Sequence, residues 1–261
     1  MNQKAEFCKI FKDFAYRYNC HDVFFDFCEV SALSLRQVFE RKQENEEQYL
    51  KIINKYEPDE QNKFAELLAL TADALSENPR DFLGECFHEL EMHNKFQGQF
   101  FTPFDVSRLM AKISLEGFKE KIKKQGFITI HEPTCGAGGM ILALYNEIRE
   151  ASFNPTNVMF VVAQDIDRKC CNMTYIQLSL LAIPAVVIWG NTLTLEFRSQ
   201  WYTSGYFLGA WPARLRWREA INAVQDLEES NVSDLDDPAT QIPTPVPAPL
   251  CSTSGQLMFD F

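Results

Sequence analysis

No apolar run in the 261 residues reaches the ~18 that a membrane-spanning helix needs. The first thirteen residues are polar and charged, so they do not read as a secretion signal. No two of the eight cysteines form a Cys-x-x-Cys pair, and no metal-ligand spacing is read among them. Lacking a leader and a regular cysteine framework, the chain reads as a reduced, cytoplasmic protein. The adjacent Cys170 and Cys171 are read as buried helix residues in preference to a thiol sensor. Basic residues are the minority, 25 against 36 acidic. That balance argues against a protein that coats nucleic acid by itself. There is no internal repeat. What the sequence does have is an ordinary apolar fraction, 46%, which excludes wholesale disorder.

The charge of −11 is uneven: −7 over residues 1–97, +1 over 98–199 and −5 over 200–261. Three parts are expected. Residues 1–97 read as a helical N-terminal subdomain, 98–229 as an α/β ligand-binding domain, and 230–261 as a flexible acidic tail. In the first part Phe7, Phe11, Phe14, Phe24, Phe25 and Phe27 recur at helical spacing, as do Phe64, Leu67, Leu68 and Leu75. Glu57-Pro58-Asp59 is a helix start. Asn78 is expected to cap the next helix with Pro79 at its first position, Asp81 complementing the dipole and Phe82, Leu83, Cys86, Phe87 and Leu90 facing inward.

The second part opens with Thr102 as a cap and Pro103 in the first turn of a helix carrying Val106, Leu109, Met110 and Ile113. Strands and helices then alternate. Phe127–Ile130, Val158–Val162 and Ala185–Ile188 read as strands, and residues from about Gly139 to Glu150 and from Arg168 to Leu181 as helices. Continuous apolar strands between helices imply a parallel sheet covered on both faces. Beyond Leu195 the pattern stops. Phe197, Trp201, Tyr202, Tyr206, Phe207 and Trp211 crowd together without a period. Pro212 to Glu229 reads as a charged helix, and 230–255 as a proline-rich linker.

The chemistry concentrates at three turns. His131-Glu132-Pro133-Thr134-Cys135-Gly136-Ala137-Gly138-Gly139-Met140 follows the first strand. Its glycines allow a ligand close to the backbone, at exposed amides of a helix N-terminus. A dinucleotide fingerprint needs Gly or Ala where Ile141 stands, so the nicotinamide reading is weak. Gln164-Asp165 closes the second strand, where a carboxylate can accept both ribose hydroxyls. Asp167 reads as a helix cap before Arg168. Gly190-Asn191-Thr192-Leu193 closes the third, and the Asn191 amide suits an adenine edge. Carboxyl ends of adjacent parallel strands are where open α/β sheets bind ligands. Lys119, Lys121, Lys123 and Lys124 read as solvated helix surface.

Four blocks in order carry a family resemblance: Gly98-Gln99-Phe100-Phe101-Thr102-Pro103, then Glu132-Pro133-x-Cys135-Gly136-x-Gly138-Gly139, then Gln164-Asp165, then Gly190-Asn191-Thr192-Leu193. Over about residues 80–195 the chain resembles the N6-adenine DNA methyltransferases, most closely the modification subunit of type I restriction-modification systems. The resemblance implies a Rossmann-like methyltransferase core, here incomplete, with S-adenosyl-L-methionine as cofactor and adenine N6 in DNA as methyl acceptor. It implies that Phe101, Thr102 and Pro103 meet the methionine end. Glu132, Pro133, Cys135, Gly136 and Gly138 would cradle the amino acid and sugar, Asp165 with Ile166 the ribose and its surroundings, and Asn191 the adenine. It also implies that DNA is reached through a specificity-type partner subunit.

The family's catalytic block, Asn/Asp-Pro-Pro followed by an aromatic, has no counterpart, since no Pro-Pro dipeptide occurs. Thr203-Ser204-Gly205-Tyr206 keeps an aromatic and neither proline, so no catalytic residue is assigned. A non-catalytic regulator or adaptor of DNA modification is therefore the alternative. The family sheet has seven strands with the first at its centre, so here the first strand is expected at an open edge. Either residues 197–211 fold over that edge or a partner chain does. Finally, Gln256-x-x-Phe259-x-Phe261 resembles the short motif that docks bacterial proteins on the replication sliding clamp.

Overall fold

The computed structural model describes residues 2–14, 16–90 and 101–233, with side chains through residue 223. The linker from 234 onward and the terminal Gln256, Phe259 and Phe261 lie outside the described residues. The chain divides into two compact units, Met1–Arg214 and Leu215–Phe261.

The N-terminal helices are α1 (Gln3–Phe14), α2 (Cys20–Gln37), α3 (Gln43–Ile53), α4 (Pro58–Glu77) and α5 (Phe82–Glu89). Phenylalanines at helical spacing put one aromatic stripe on each of α1 and α2, and the stripes face each other. Phe7, Phe11, Phe14, Phe24 and Phe27 are buried, while Phe25 is half-buried. Their rings meet at tilted and edge-on angles, as at Phe7–Phe27 with centroids 5.7 Å apart. Glu57, Pro58 and Glu60 start α4 with a reciprocal capping box. At α5 the expected cap shifts. Asp81, not Asn78, is the N-cap, its carboxylate accepting from Gly84 N at 2.9 Å; Asn78 instead ends α4. The shorter helix lets the apolar face of Phe82, Leu83, Cys86 and Phe87 turn fully inward.

Two helices precede the sheet, α6 (Phe104–Ser114) and α7 (Phe118–Gln125). Pro103 is the N-cap of α6, one place later than expected, and Thr102 makes no cap bond. The reason is that the Pro103 carbonyl itself accepts from the amides of Val106 and Ser107. Lys119, Lys121, Lys123 and Lys124 are solvated on α7.

Next come β1 (Ile128–Glu132), α8 (Gly139–Glu150), α9 (Pro155–Val158), β2 (Met159–Asp165), α10 (Arg168–Leu180) and β3 (Ala185–Asn191). The last elements are β4 (Glu196–Tyr202), α11 (Ser204–Leu208) and α12 (Trp211–Ser233). The sheet order is β1-β2-β3-β4. The first three strands are parallel, as their alternation with helices implied, and β4 is antiparallel to β3. The fold is thus mixed α/β with a mostly parallel sheet. α10 packs against β2 and β3 on one side and against α2, α4 and α5 on the other. It thereby joins the helical part to the sheet.

Three expectations change. The aromatic stretch does not fold over the edge of β1, although its end, Trp211, packs on Phe127 just before that strand. Residues 196–202 form β4 at the opposite end of the sheet, because Phe197 pairs with Gly190 and Trp201 with Val187. The sheet is not covered evenly on both faces either. Thr129 and His131 of β1 are exposed, whereas Phe160 and Val162 beside them on β2 are buried. Trp211 is the cover there, with its ring 5.6 Å from Phe160 and 4.8 Å from Phe127. And the last helix runs to Ser233, past the expected linker boundary at 230. Cys170 and Cys171 are buried on α10, and none of the seven described cysteines is in a disulfide.

Candidate functional site

The register aligns Glu132 of β1 with Ala163 of β2, and Asp165 of β2 with Trp189 of β3. The carboxyl ends of the three parallel strands therefore lie side by side, and the three expected turns share one end of the sheet.

The glycine turn is built for close approach. Gly136 and Gly138 take φ of 54° and 96°, values that a Cβ penalises. A Cβ on Gly136 would stand 3.1 Å from the Phe101 ring, and one on Gly138 would stand 3.2 Å from Thr174 Oγ1. Gly138 is the N-cap of α8. The Cys135 amide donates to Gln164 O at 2.8 Å, which ties the turn to the end of β2.

Asp165 bridges two turns. Its Oδ2 accepts from Gly136 N and its Oδ1 from Asp167 N, both at 2.9 Å. Burial pushes its carboxyl above the ordinary range, and the amides of Asp167 and Gly136 pull it back. Burial also raises Glu132, with the Thr134 amide opposing and the Asp165 charge adding to the rise. Two partly buried carboxylates thus stand at the ends of neighbouring strands, near enough for the charge of Asp165 to be felt at Glu132. Asp167 caps α10 by accepting from Lys169 N, as its position implied.

Asn191 does two jobs. Its Oδ1 accepts from the amides of Leu193 and Thr194 at 3.0 and 3.3 Å and so closes the β3–β4 turn. Its Nδ2 is left for another acceptor. Thr192 Oγ1 donates to Pro133 O at 2.7 Å, which ties this turn to the first. Ile166 is 57% exposed, and its carbonyl accepts from Trp189 Nε1. Phe101 rests on Gly136 and against the rings of Phe87 and His88. Thr102 and Pro103 are exposed at the start of α6, with no bond to the glycine turn.

Two supporting residues were not read from the sequence. Thr174 Oγ1 donates to Gly136 O, and Gln177 Nε2 donates to Ala137 O and to Asp81 Oδ1. Thr174 and Gln177 are one turn apart on α10, and that (i, i+3) pair of polar residues inside an apolar helix was the available signal. Asp81 is fully enclosed, and burial raises its carboxyl against the lowering bonds from Gln177 and Gly84.

A cleft of about 740 Å³ opens beside Ile166, walled by Tyr18, Phe25, Tyr56 and Trp189. Asn172 lines it at 2% exposure, and its Oδ1 has no partner. The cleft does not include Gly136, Asp165 or Asn191, so it adjoins the three turns without being their site.

The profile of the N-6 DNA methylase family matches residues 80–219, more than half of the chain. The chain belongs to the N-6 DNA methylase family. Neither curated proteins nor solved structures yield a match. The matched span of this methylase-family chain begins just before Asp81 and runs through all four strands, so it contains the glycine turn, Asp165 and Asn191. Among the described residues no helix is long and apolar enough to cross a membrane, and no cluster of His, Cys, Asp or Glu is arranged to hold a metal.

Proposed function

We propose that the chain binds S-adenosylmethionine across the carboxyl ends of β1, β2 and β3, as the cofactor-holding part of a DNA adenine-N6 methylase. The observation that carries this is the bridge between Asp165 and the Gly136 amide at adjacent strand ends. The residues fit the group in two respects. The cradle at Gly136 is one that a Cβ would fill against Phe101. Glu132 and Asp165 offer two carboxylates to a ligand bearing a sulfonium and an ammonium. When bound, the cofactor supplies an electrophilic methyl group for adenine N6.

The chain's own residues bind and orient. Asp165 keeps lone pairs on both oxygens for ribose hydroxyls, since each oxygen accepts one backbone amide. Asn191 Nδ2 donates toward an adenine ring nitrogen. Ile166 presents an apolar side chain beside the same place. Phe101 closes over the glycine turn, and Thr102 and Pro103 continue that rim. Glu132, Pro133, Cys135 and Gly138 shape the floor.

Residues 1–261 contain no Asn/Asp-Pro-Pro-aromatic block, and this favours a second reading, a cofactor-binding regulator or adaptor in DNA modification. A specificity-type subunit and a sliding clamp, met through Gln256, Phe259 and Phe261, are the partners that suit either reading.

Calorimetry with S-adenosylmethionine tests the binding step. Measurable affinity is expected, and Asp165→Ala should weaken it at least ~10-fold. Absence of binding heat by the wild type sinks the proposal. Transfer of labelled methyl to DNA separates the two readings. None is expected from this chain alone, and clear turnover overturns the adaptor.

A further inference from the structure

Helix α6 buries a face of small residues and carries an apolar stripe on the opposite one. Ser107 and Ala111 are buried on the side toward α8, with Leu115 just beyond the helix end. On the far side stand Val106, Leu109, Met110 and Ile113, at spacing i, i+3, i+4, i+7. They are 45, 62, 46 and 69% exposed. That is the pattern of a helix meant to be covered on both sides. A single exposed apolar residue needs no explanation, but a four-residue stripe over two turns does.

We propose that this stripe is the contact surface for a second copy of the chain, with α6 of one protomer packed antiparallel on α6 of the other. The charge pattern selects this occupant. A two-fold axis across the stripe sets Val106 against Ile113 of the partner subunit and Leu109 against Met110 of the partner subunit, each contact occurring twice. Every large residue then meets a large residue. Asp105 and Lys112 are seven residues apart and lie on the same flank of the stripe. The same axis brings each Asp105 to Lys112 of the partner subunit, which is the self-complementarity a two-fold contact requires. Both groups are available for it. Asp105 has no bonded partner among the described residues, and Lys112, 55% exposed, reaches only Glu147 at 3.9 Å. A parallel arrangement lacks this match, because it sets the charged flank against the side that carries Ser114.

Eleven residues make a helix about 16 Å long, so the contact sits at the small end of specific interfaces. A weak dimer is expected, with a dissociation constant on the order of 10 μM.

Sedimentation equilibrium of the full chain between about 1 and 200 μM tests this, and a monomer–dimer equilibrium is the expected result. Leu109→Asp and Ile113→Asp should each raise the dissociation constant at least ~10-fold. Both side chains are solvent-exposed, so the fold is retained, and thermal melts check that. Asp105→Lys alone and Lys112→Asp alone should each weaken the dimer, and the double exchange should restore it. A wild-type chain that stays monomeric throughout overturns the proposal and leaves the stripe to a different polypeptide. A dimer indifferent to Leu109→Asp overturns it as well. A dimer broken by Leu109→Asp and Ile113→Asp but untouched by the charge exchanges overturns the antiparallel pairing.

Discussion

Asp165 Oδ2 accepts a hydrogen bond from the Gly136 amide at 2.9 Å. The end of β2 is thereby fastened to the glycine turn after β1, and the positive φ of Gly136 is held by a carboxylate 29 residues away. The same carboxylate organises its own loop through Asp167 N. Asp165 is therefore a structural acceptor before any ligand arrives. Asp165→Ala removes both bonds and leaves two backbone amides without their acceptor, at about 1–3 kcal/mol for each that stays buried. Asp165→Asn retains one acceptor oxygen and should cost less. Urea denaturation measures both. If Asp165→Ala unfolds at the wild-type midpoint, the bridge contributes nothing to stability.

Gly138 needs its missing side chain for conformation more than for space. Its φ of 96° lies in the left-handed region, and Thr174 Oγ1 stands 3.2 Å from where a Cβ would be. Gly138→Ala should cost about 1–3 kcal/mol and loosen the start of α8. Amide hydrogen exchange of residues 139–142 reads the second effect. Unchanged protection there, together with an unchanged melting temperature, counts against the strain.

The parts of this fold that were legible are those where local pattern and tertiary role agree. β2 and β3 are buried on both faces, so they appear as unbroken apolar runs. α8 and α10 keep their expected starts at Gly139 and Arg168. β4 was missed for the opposite reason. Glu196, Phe197 and Arg198 are exposed at the edge of the sheet, and a charged edge strand does not look apolar. The three turns of the site were legible because glycines and a strand-end acid are sequence signals. Their supports were not, because Gln177 reaches back 96 residues to Asp81 and no local rule anticipates that contact. The stripe on α6 was read correctly as one helix face, yet that face points to solvent, because small Ser107 and Ala111 pack more closely on α8.

Asp81 gives a pH prediction. Burial raises its carboxyl above the value of an unfolded chain. A raised acid contributes stability that is fully present below the unfolded pKa, near the ordinary 3.8, and is lost as pH rises through the folded pKa. Asn caps a helix as well as Asp does and carries no charge to bury. Asp81→Asn should therefore remain stable at neutral pH and exceed the wild type by a margin that grows upward from about pH 4. Asp81→Ala should be destabilised at every pH by about 1–2 kcal/mol, since it loses the cap on α5 and an acceptor of Gln177. Urea midpoints from pH 4 to 8 decide this. A constant difference between wild type and Asp81→Asn across that range would falsify the claim.

Trp211 closes the sheet face that β1 leaves partly open. Its side chain is fully enclosed, edge-on to Phe127 and stacked on Phe160, and its Nε1 donates to Thr156 O at 3.3 Å. Arg214 lies over its ring at 3.9 Å and donates to Asn157 O, so the cover is fastened to α9, which leads into β2. Tyr206 of α11 also reaches Phe160, with ring centroids 6.1 Å apart, and the indole at the start of α12 completes the packing on this face. Trp211→Ala should cost about 3–5 kcal/mol, and Trp211→Phe, which keeps an aromatic plane and loses the bond to Thr156, distinctly less. The site lies at the far ends of the strands, so Trp211→Phe should leave the affinity for S-adenosylmethionine unchanged. A loss below 1 kcal/mol for Trp211→Ala in urea denaturation would show that the face tolerates water, contrary to the burial of Phe160 and Val162.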